Sequence, residues 1–246
     1  MALVLNLEKA TQSLVLNLQK VGVTTPPELE VGIAMDVSKS FEDEHDSGIT
    51  TDLTTRLIPW GLAFDPDKKV DICSFSDGPN HVVDVGPITE KNYVGFMHNK
   101  VIGKVAGWNG NTDYSYFIEH YLRLFGWLPT EQKPGFFAGL FGAKAKLVQG
   151  PKRKSLVLAV TDGANADKLE TEQVLRESQA RGDEVFFLFL GVSNQGGSFP
   201  FLRKLDGVFS NVGFVQIENL KEFVSQSDDE LNESLISDKL IEWLKA

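Results

Sequence analysis

The segment LEVGIAMDVSKSF, from Leu29 to Phe41, carries the most informative pattern in the chain. Its apolar run from Val31 to Met35 is typical of a strand that is covered on both faces in a parallel sheet. The run ends at Asp36, and Ser38 and Ser40 follow in an Asp-x-Ser-x-Ser pattern. A carboxylate and two hydroxyls are therefore expected where a buried strand enters a loop.

Other apolar segments predict an α/β fold with a central, mostly parallel sheet and helices on both faces. Helical patterns lie between and after these segments, as expected for βαβ units in a doubly wound sheet. A short strand, His81 to Val85, follows closely behind one of them and is interpreted as an antiparallel edge strand. The additional parallel strands are predicted at Val70–Phe75, Ser155–Val160 and Val185–Leu190.

Several segments have the periodicity of amphipathic helices. Residues 3–21 favour a helix, although the alternation of their first leucines leaves a strand open. A second pattern runs from Ile49 to Phe64, where Pro59 is expected to kink or shorten the helix. Tyr114 to Phe125 gives the clearest pattern and begins just after Thr112. A capping box at Ser227–Glu230 predicts one last helix, with an apolar face formed by Leu231, Leu235, Leu240 and Trp243 or Leu244.

Composition and charge limit the classes of partner and the compartment. The 246 residues carry a net charge of −10, whereas general nucleic-acid binders present a basic face, so no nucleic-acid partner is expected. Cys73 is the only cysteine, which excludes an intramolecular disulfide and a cysteine-based metal cluster. Because no signal peptide or long apolar run is recognisable, we expect a cytoplasmic protein.

The length of the chain favours one α/β domain, with two additional segments. Residues 1–28 are predicted to be an N-terminal helical extension of a domain that covers residues 29–246. Within that domain, residues 127–154 form a basic, aromatic insertion with six Lys or Arg and one Glu, a charge of +5. A loop packed on its own domain and a contact with a partner or an anionic membrane are both consistent with this insertion.

Side chains with oxygen atoms lie at the ends of two predicted strands and at the start of one predicted helix. Asp36, Ser38 and Ser40 follow the first strand, Asp162 follows the strand at 155–160, and Thr112 lies at the start of a helix. The carboxyl ends of parallel strands meet at one edge of a sheet, where ligands bind. Carboxylates and hydroxyls suit a hard cation, Mg²⁺ or Mn²⁺, with Ca²⁺ also possible. Taken singly, each residue is also explained as a helix cap or turn former.

The joint pattern resembles the metal-ion-dependent adhesion site of the von Willebrand factor type A (vWA) domain. The likeness covers about residues 29–220, in the order Asp-x-Ser-x-Ser, a threonine in a glycine-rich loop, and Thr-Asp-Gly. A narrower likeness is to the vWA domain of the tellurium-resistance TerF group. It is carried by LNLQKVGV before the first strand, by Gly61–Asp77 and by Gly110–Ile118.

This resemblance implies a Rossmann-like, three-layer fold and a non-catalytic, cation-dependent module for protein interaction. It implies that residues matching Asp36, Ser38, Ser40, Thr112 and Asp162 hold the cation directly or through water. A carboxylate from a partner protein would fill the open coordination position. The resemblance also suggests a role in tellurium resistance or stress response.

Two other functions stay open at this stage. A metal-dependent hydrolase could use the same oxygen ligands, with Asp113 as the best candidate for a general base. Nucleotide binding lacks both common glycine-rich phosphate motifs, although Gly191–Ser198 could form a phosphate loop. The acidic run Glu42–Asp46 is interpreted as a solvated loop, with a second, weaker Ca²⁺ site as the alternative.

Overall fold

Strands and helices alternate along the chain. The computed structural model describes residues 3–132, 146–163, 165–193 and 197–246. The strands are β1 (Glu30–Asp36), β2 (Lys69–Phe75), β3 (Val83–Thr89), β4 (Thr130–Gln132), β5 (Lys146–Val148), β6 (Ser155–Thr161), β7 (Val185–Val192) and β8 (Val212–Ile217). The helices are α1 (Leu7–Lys20), α2 (Glu42–Asp46), α3 (Ile49–Phe64), α4 (Phe96–Lys100), α5 (Ser115–Leu124), α6 (Lys168–Arg181), α7 (Pro200–Val208), α8 (Leu220–Ser225), α9 (Asp228–Leu235) and α10 (Asp238–Lys245).

Six strands form one sheet in the order β3-β2-β1-β6-β7-β8. The neighbours are parallel except β2 and β3, which pair antiparallel at the edge. The predicted fold class and the four predicted parallel strands are confirmed. The predicted edge strand is shifted: β3 begins at Val83, and His81 ends a short 3₁₀ helix before it. The sequence reasoning missed β8.

The sheet separates two apolar cores, and β1 contributes to both. Val31, Ile33 and Met35 face the core under α1, α3 and the C-terminal helices, whereas Ala34 faces the core under α5, α6 and α7. All seven residues of β1 are buried. Since alternate side chains of a strand point to opposite faces, the uninterrupted apolar run is the result of burial on both sides.

Close packing of α5 on the sheet depends on Gly32. A Cβ atom at this position would lie 2.3 Å from the Tyr121 ring. The Tyr121 hydroxyl donates to the Ile33 carbonyl oxygen at 2.7 Å and accepts the Cys73 N–H at 3.2 Å. The ring thus joins β1 to β2 from the α5 side, and a larger residue at 32 would displace it.

The N-terminal stretch contains α1, which packs against the domain. The Asn6 side chain caps its first turn, accepting the Lys9 N–H at 3.0 Å. Asp229 on α9 accepts hydrogen bonds from Ser13 at 2.6 Å and from Asn17 at 2.9 Å. The division into an extension and a domain remains a prediction, and α1 shares the core beneath α3. Its buried residues are Leu7, Ala10, Leu14, Asn17 and Leu18.

The structure differs in detail from two helical predictions. Of the two effects expected of Pro59, shortening does not occur, because α3 continues from Ile49 to Phe64. The predicted last helix is two helices, α9 and α10. The second begins after Ser237, whose hydroxyl accepts the Leu240 N–H at 3.3 Å. The predicted apolar face is therefore shared between two elements that both reach the same core.

Both ends of the basic insertion are held by the domain. β4 and β5 pair antiparallel, with Gln132 opposite Lys146. Trp127 is buried, and its indole N–H donates to the Arg153 carbonyl oxygen at 2.8 Å. The Arg153 guanidinium in turn pairs with Glu30 at 2.7 Å. Residues 133–145, which include Phe136, Phe137, Leu140 and Phe141, lie outside the described residues.

Within the described ranges, no helix is both long and apolar enough to cross a membrane. The longest is α3, with 16 residues, whereas a spanning helix needs roughly 20 apolar residues.

Two glycines in helices provide a matched test of the α3 packing. At Gly61 in α3, a Cβ would lie 2.4 Å from the Lys69 carbonyl oxygen and from the Val70 side chain. At Gly207 in α7, nothing lies within 4 Å. We expect Gly61→Ala to lower the free energy of unfolding by about 1–3 kcal/mol. Gly207→Ala should raise it by up to about 1 kcal/mol. Urea denaturation measures both, and equal effects would contradict this packing.

Candidate metal centre

The loop after β1 is organised by Asp36, whose side chain is fully buried. Its Oδ1 accepts the backbone N–H of Ser38 at 2.8 Å, a turn that Asp readily forms with the residue two positions on. The hydroxyls of Ser38 and Ser40 lie 3.2 Å apart. Phe41 is buried in the core and ties the end of this loop to the domain.

A second carboxylate reaches the same place from β6, the parallel neighbour of β1. Thr161, the last residue of β6, donates from Oγ1 to Asp36 Oδ2 at 2.6 Å. The next residue, Asp162, accepts a hydrogen bond from Ser40 Oγ at 2.9 Å. Each carboxylate therefore accepts a hydrogen bond from a hydroxyl of the neighbouring strand or its loop, because the two strand ends are adjacent.

The third segment, around Thr112, comes from the loop before α5. Gly110 pairs with Ser38 as an isolated parallel bridge, and its carbonyl oxygen accepts the Lys39 N–H at 3.0 Å. The Thr112 carbonyl oxygen accepts the Ala166 N–H at 2.9 Å. The loop that carries Thr112 is thus fastened to the loops after both β1 and β6. Thr112 does not cap a helix, since α5 begins three residues later.

All five predicted site residues converge at this end of the sheet. A Cβ atom added to Gly163 would lie 3.7 Å from Ser40 Oγ and 3.7 Å from Thr112 Oγ1. Gly163 thus faces the two hydroxyls without covering them. A cavity of about 450 Å³ opens here, lined by Ser38, Lys39, Ser40, Gly110, Asn111, Thr112, Gly163 and Ala166.

The two carboxylates are electrostatically costly as a pair. Burial raises the pKa of Asp36 to about 6, although hydrogen bonds from Thr161 and Ser38 offset part of that effect. Burial also raises the pKa of Asp162 to about 7, and repulsion from Asp36 adds to it. A bound cation would relieve both the burial cost and the mutual repulsion.

The sequence motif departs at three positions from the family that it resembles, which commonly has glycine at the positions of Lys39 and Asn111 and methionine at that of Phe41. Lys39 is exposed and pairs with Glu42. Phe41 packs in the core, and Asn111 is an exposed residue on the rim of the cavity. The ammonium group is therefore engaged at the rim by a carboxylate.

The acidic run predicted to be a solvated loop is the helix α2. Glu42 accepts a hydrogen bond from Asn109, which lies in the Thr112 loop with a left-handed backbone, φ 62°. His45 is buried and lies 2.8 Å from the Asp36 carbonyl oxygen. This helix therefore contacts two of the three segments of the site. The second Ca²⁺ site stays a hypothesis.

Sequence reasoning missed four residues that support the site. Thr161 was visible beside Asp162 but was not assigned a role. Asp167 accepts the N–H groups of Tyr114 and Ser115 at 2.9 and 2.7 Å, and so caps α5 from another loop. The Tyr114 hydroxyl donates to the Gly163 carbonyl oxygen at 2.7 Å. His45 gave no signal, since its partner is a backbone atom nine residues away.

Comparisons with known proteins fit this arrangement. Residues 142–246 match the family model vWA-TerF-like, described as the vWA found in the TerF C terminus. This part of the chain is therefore related to the vWA domain of TerF. The matched part includes Asp162, whereas Asp36, Ser38, Ser40 and Thr112 precede it. A search of the curated proteins gave no match.

Solved structures share the vWA fold at low identity. Proximal thread matrix protein 1 from the mussel byssus is 15% identical with a TM-score of 0.53, over 85% of this chain and 48% of that one. Another structure of the same protein has zinc in its metal-ion-dependent adhesion site (MIDAS) motif. It is 15% identical with a TM-score of 0.51, over 89% of this chain and 48% of that one. The N-terminal domain of TFIIH p34 is 14% identical with a TM-score of 0.50, over 82% and 95%. This vWA chain spans about half the length of the mussel protein.

Neutralising Asp162 tests the electrostatics of the vWA site. The pKa of Asp162 is about 7 in the fold and 3.8 ordinarily, so the folded protein holds this proton more tightly than the unfolded chain does. The stabilisation that results is fully present below about pH 4. That contribution is lost as the pH rises through 7. In metal-free buffer at pH 8, Asp162→Asn should therefore be more stable than wild type by about 1–3 kcal/mol.

At pH 4 the variant and the wild type should have nearly equal stability, because the wild-type carboxyl is then protonated. Urea denaturation in the presence of a chelator at both pH values measures the difference. A variant that is less stable than wild type at pH 8 would show that the ionised carboxylate is favoured by its surroundings.

Proposed function

We propose that this vWA domain is a non-catalytic, divalent-cation-dependent module for protein interaction. The observation that supports it is that three hydroxyl residues line one cavity at the end of the sheet, beside a buried and a half-buried carboxylate that belong to the same hydrogen-bond network. Asp36, Ser38, Ser40, Thr112 and Asp162 would hold the cation. Among the described residues, no three or more His, Cys, Asp or Glu side chains are grouped so that they could hold a metal ion by themselves.

The donor set decides which cation fits. Oxygen ligands without histidine or cysteine favour Mg²⁺ or Mn²⁺, which can also keep water ligands. Ca²⁺ is the next candidate, since it too binds oxygen. The zinc seen in the mussel byssus protein shows that its MIDAS motif accepts another divalent ion. When bound, the cation would offer a positive charge and an exchangeable position to an acidic residue of a partner protein.

The contacts around the site support binding over catalysis. Asp113, the best candidate for a general base, accepts the Gly78 N–H at 2.9 Å. Its own N–H donates to the Ser76 carbonyl oxygen at 3.1 Å. Asp113 therefore fastens the loop after β2 to the Thr112 loop. The likeness to TerF supports a role in a tellurium-resistance or stress-response system as part of the same proposal.

Calorimetric titration of Mg²⁺ and Mn²⁺ into metal-free protein tests the cation site. Wild type should bind one ion per chain, and Asp36→Asn or Asp162→Asn should weaken binding about tenfold or more, since each removes an anionic ligand. Asp46→Asn is the matched control. This carboxylate is exposed on α2, and its loss should change affinity less than about twofold.

Absence of saturable binding by wild type would refute the cation-dependent function. Water proton relaxation of the Mn²⁺-loaded protein then tests for an exchangeable position, because a carboxylate ligand that displaces water lowers the relaxation rate. Hydrolysis of p-nitrophenyl phosphate that depends on Mn²⁺ and is lost in Asp162→Asn would support the hydrolase alternative.

The basic insertion favours a second binding surface at the other end of the domain. Leu147 on β5 is 63% exposed and Val148 is 37% exposed. Lys146 precedes them, and Lys152 lies 5.0 Å above the Trp127 ring. We propose that residues 127–154 contact an anionic membrane surface, since exposed apolar groups beside lysines suit such a surface. A protein partner is the other outcome.

Vesicle sedimentation with about 30% phosphatidylserine tests this second surface. Leu147→Ser, combined with serine at Phe136, Phe137 and Phe141, should abolish partitioning and leave Mn²⁺ affinity unchanged. Wild-type protein that does not partition would refute the membrane contact. Partitioning that persists in the variant would show that the insertion is not the contact.

A further inference from the structure

α2 contains a buried histidine that the proposed function does not yet use. His45 is 1% exposed although it lies in the acidic run Glu42–Asp46. Its ring centroid is 5.1 Å from that of Phe41 and 5.2 Å from that of Trp108. Burial lowers the pKa of His45, so the ring is neutral near pH 7. A neutral, buried imidazole normally pairs both of its nitrogens, and the partners show what the ring holds.

The two ring nitrogens join β1 to α3. Nε2 lies 2.8 Å from the Asp36 carbonyl oxygen, and Nδ1 lies 2.8 Å from Thr50 Oγ1. A carbonyl oxygen can only accept, so Nε2 carries the hydrogen and Nδ1 accepts from the Thr50 hydroxyl. Thr50 is itself fully buried in the second position of α3. The end of β1 is thereby fixed to a rigid helix.

With this contact, three oxygen atoms of Asp36 accept hydrogen bonds. Its Oδ1 accepts from the Ser38 N–H, its Oδ2 accepts from Thr161, and its carbonyl oxygen accepts from His45. The carbonyl sets the plane of the peptide that leads to Val37, and this plane directs the chain toward Ser38. The N–H of the same peptide, from Val37, donates to the Phe75 carbonyl oxygen at 2.9 Å. Without the imidazole, the buried Asp36 carbonyl oxygen would lose the His45 N–H, and this peptide would keep only the β2 side of its anchoring.

We propose that His45 is a positioning residue for the candidate metal centre. By holding the Asp36 peptide, it keeps the Ser38 N–H on the carboxylate and the Ser38 hydroxyl beside that of Ser40. Groups behind a ligand often tune affinity in this way, and their loss typically weakens metal binding about 10–100-fold. The affinity part of this inference rests on the proposed function, whereas the hydrogen-bond part does not.

Hydrogen exchange in the metal-free protein tests the positioning directly. In His45→Phe, the ring shape stays similar but the donor to Asp36 is lost. The Ser38 amide should then exchange about tenfold or more faster relative to the Ile33 amide in the middle of β1, because the turn around Asp36 opens locally. His45→Gln keeps a side-chain N–H and should preserve the protection of Ser38. Gly61→Ala, far from the site, controls for lower global stability.

Mn²⁺ calorimetry supplies the second readout. His45→Phe should bind Mn²⁺ about tenfold or more weakly, while His45→Gln and Gly61→Ala should stay within about threefold of wild type. Unchanged Ser38 protection in His45→Phe would overturn the inference and leave the ring as packing alone. If wild type binds no Mn²⁺, the proposed function fails, and the exchange of Ser38 still decides whether His45 positions the turn.

Discussion

The hydrogen bond from Thr161 to the buried carboxylate of Asp36 joins the ends of the two central strands. It exists because β1 and β6 are parallel neighbours, so that their last residues meet at the same edge of the sheet. The bond and the Ser38 turn together satisfy a carboxylate that water does not reach. The other oxygens of the candidate centre are positioned around this carboxylate. Ser38 and Ser40 follow Asp36 in the same loop, and Ser40 contacts Asp162 in the loop after β6.

Part of this arrangement could be predicted from sequence because it depends on local spacing. Asp36, Ser38 and Ser40 are close along the chain, and the apolar runs before Asp36 and Asp162 identify two strands of a parallel sheet. Their convergence follows from sheet geometry alone. The fold class followed in the same way, because completely buried strands lack the alternation of half-exposed ones.

The rest depends on contacts between distant residues. β8 is an edge strand with three partly exposed positions and a glycine, so its apolar signal is weak. α2 is too short for a helical period to be seen in five mostly acidic residues. Asp167 caps a helix that begins 52 residues earlier in the chain, a pairing for which the sequence contains no local cue. The start of a separate helix after Ser237 depends on the packing of Leu240 and Leu244 in the core that α9 also reaches.

The capping of α5 by Asp167 has a consequence for the sign of charge that this end of the sheet can accept. In many α/β proteins, free N–H groups at the first turn of such a helix bind phosphate. Here a carboxylate of the chain itself already accepts the N–H groups of Tyr114 and Ser115. A phosphate would have to displace this internal anion and then face the charges of Asp36 and Asp162. Three carboxylates of the chain thus lie at a position where nucleotide-binding proteins hold a phosphate, and this charge disfavours an external anion there.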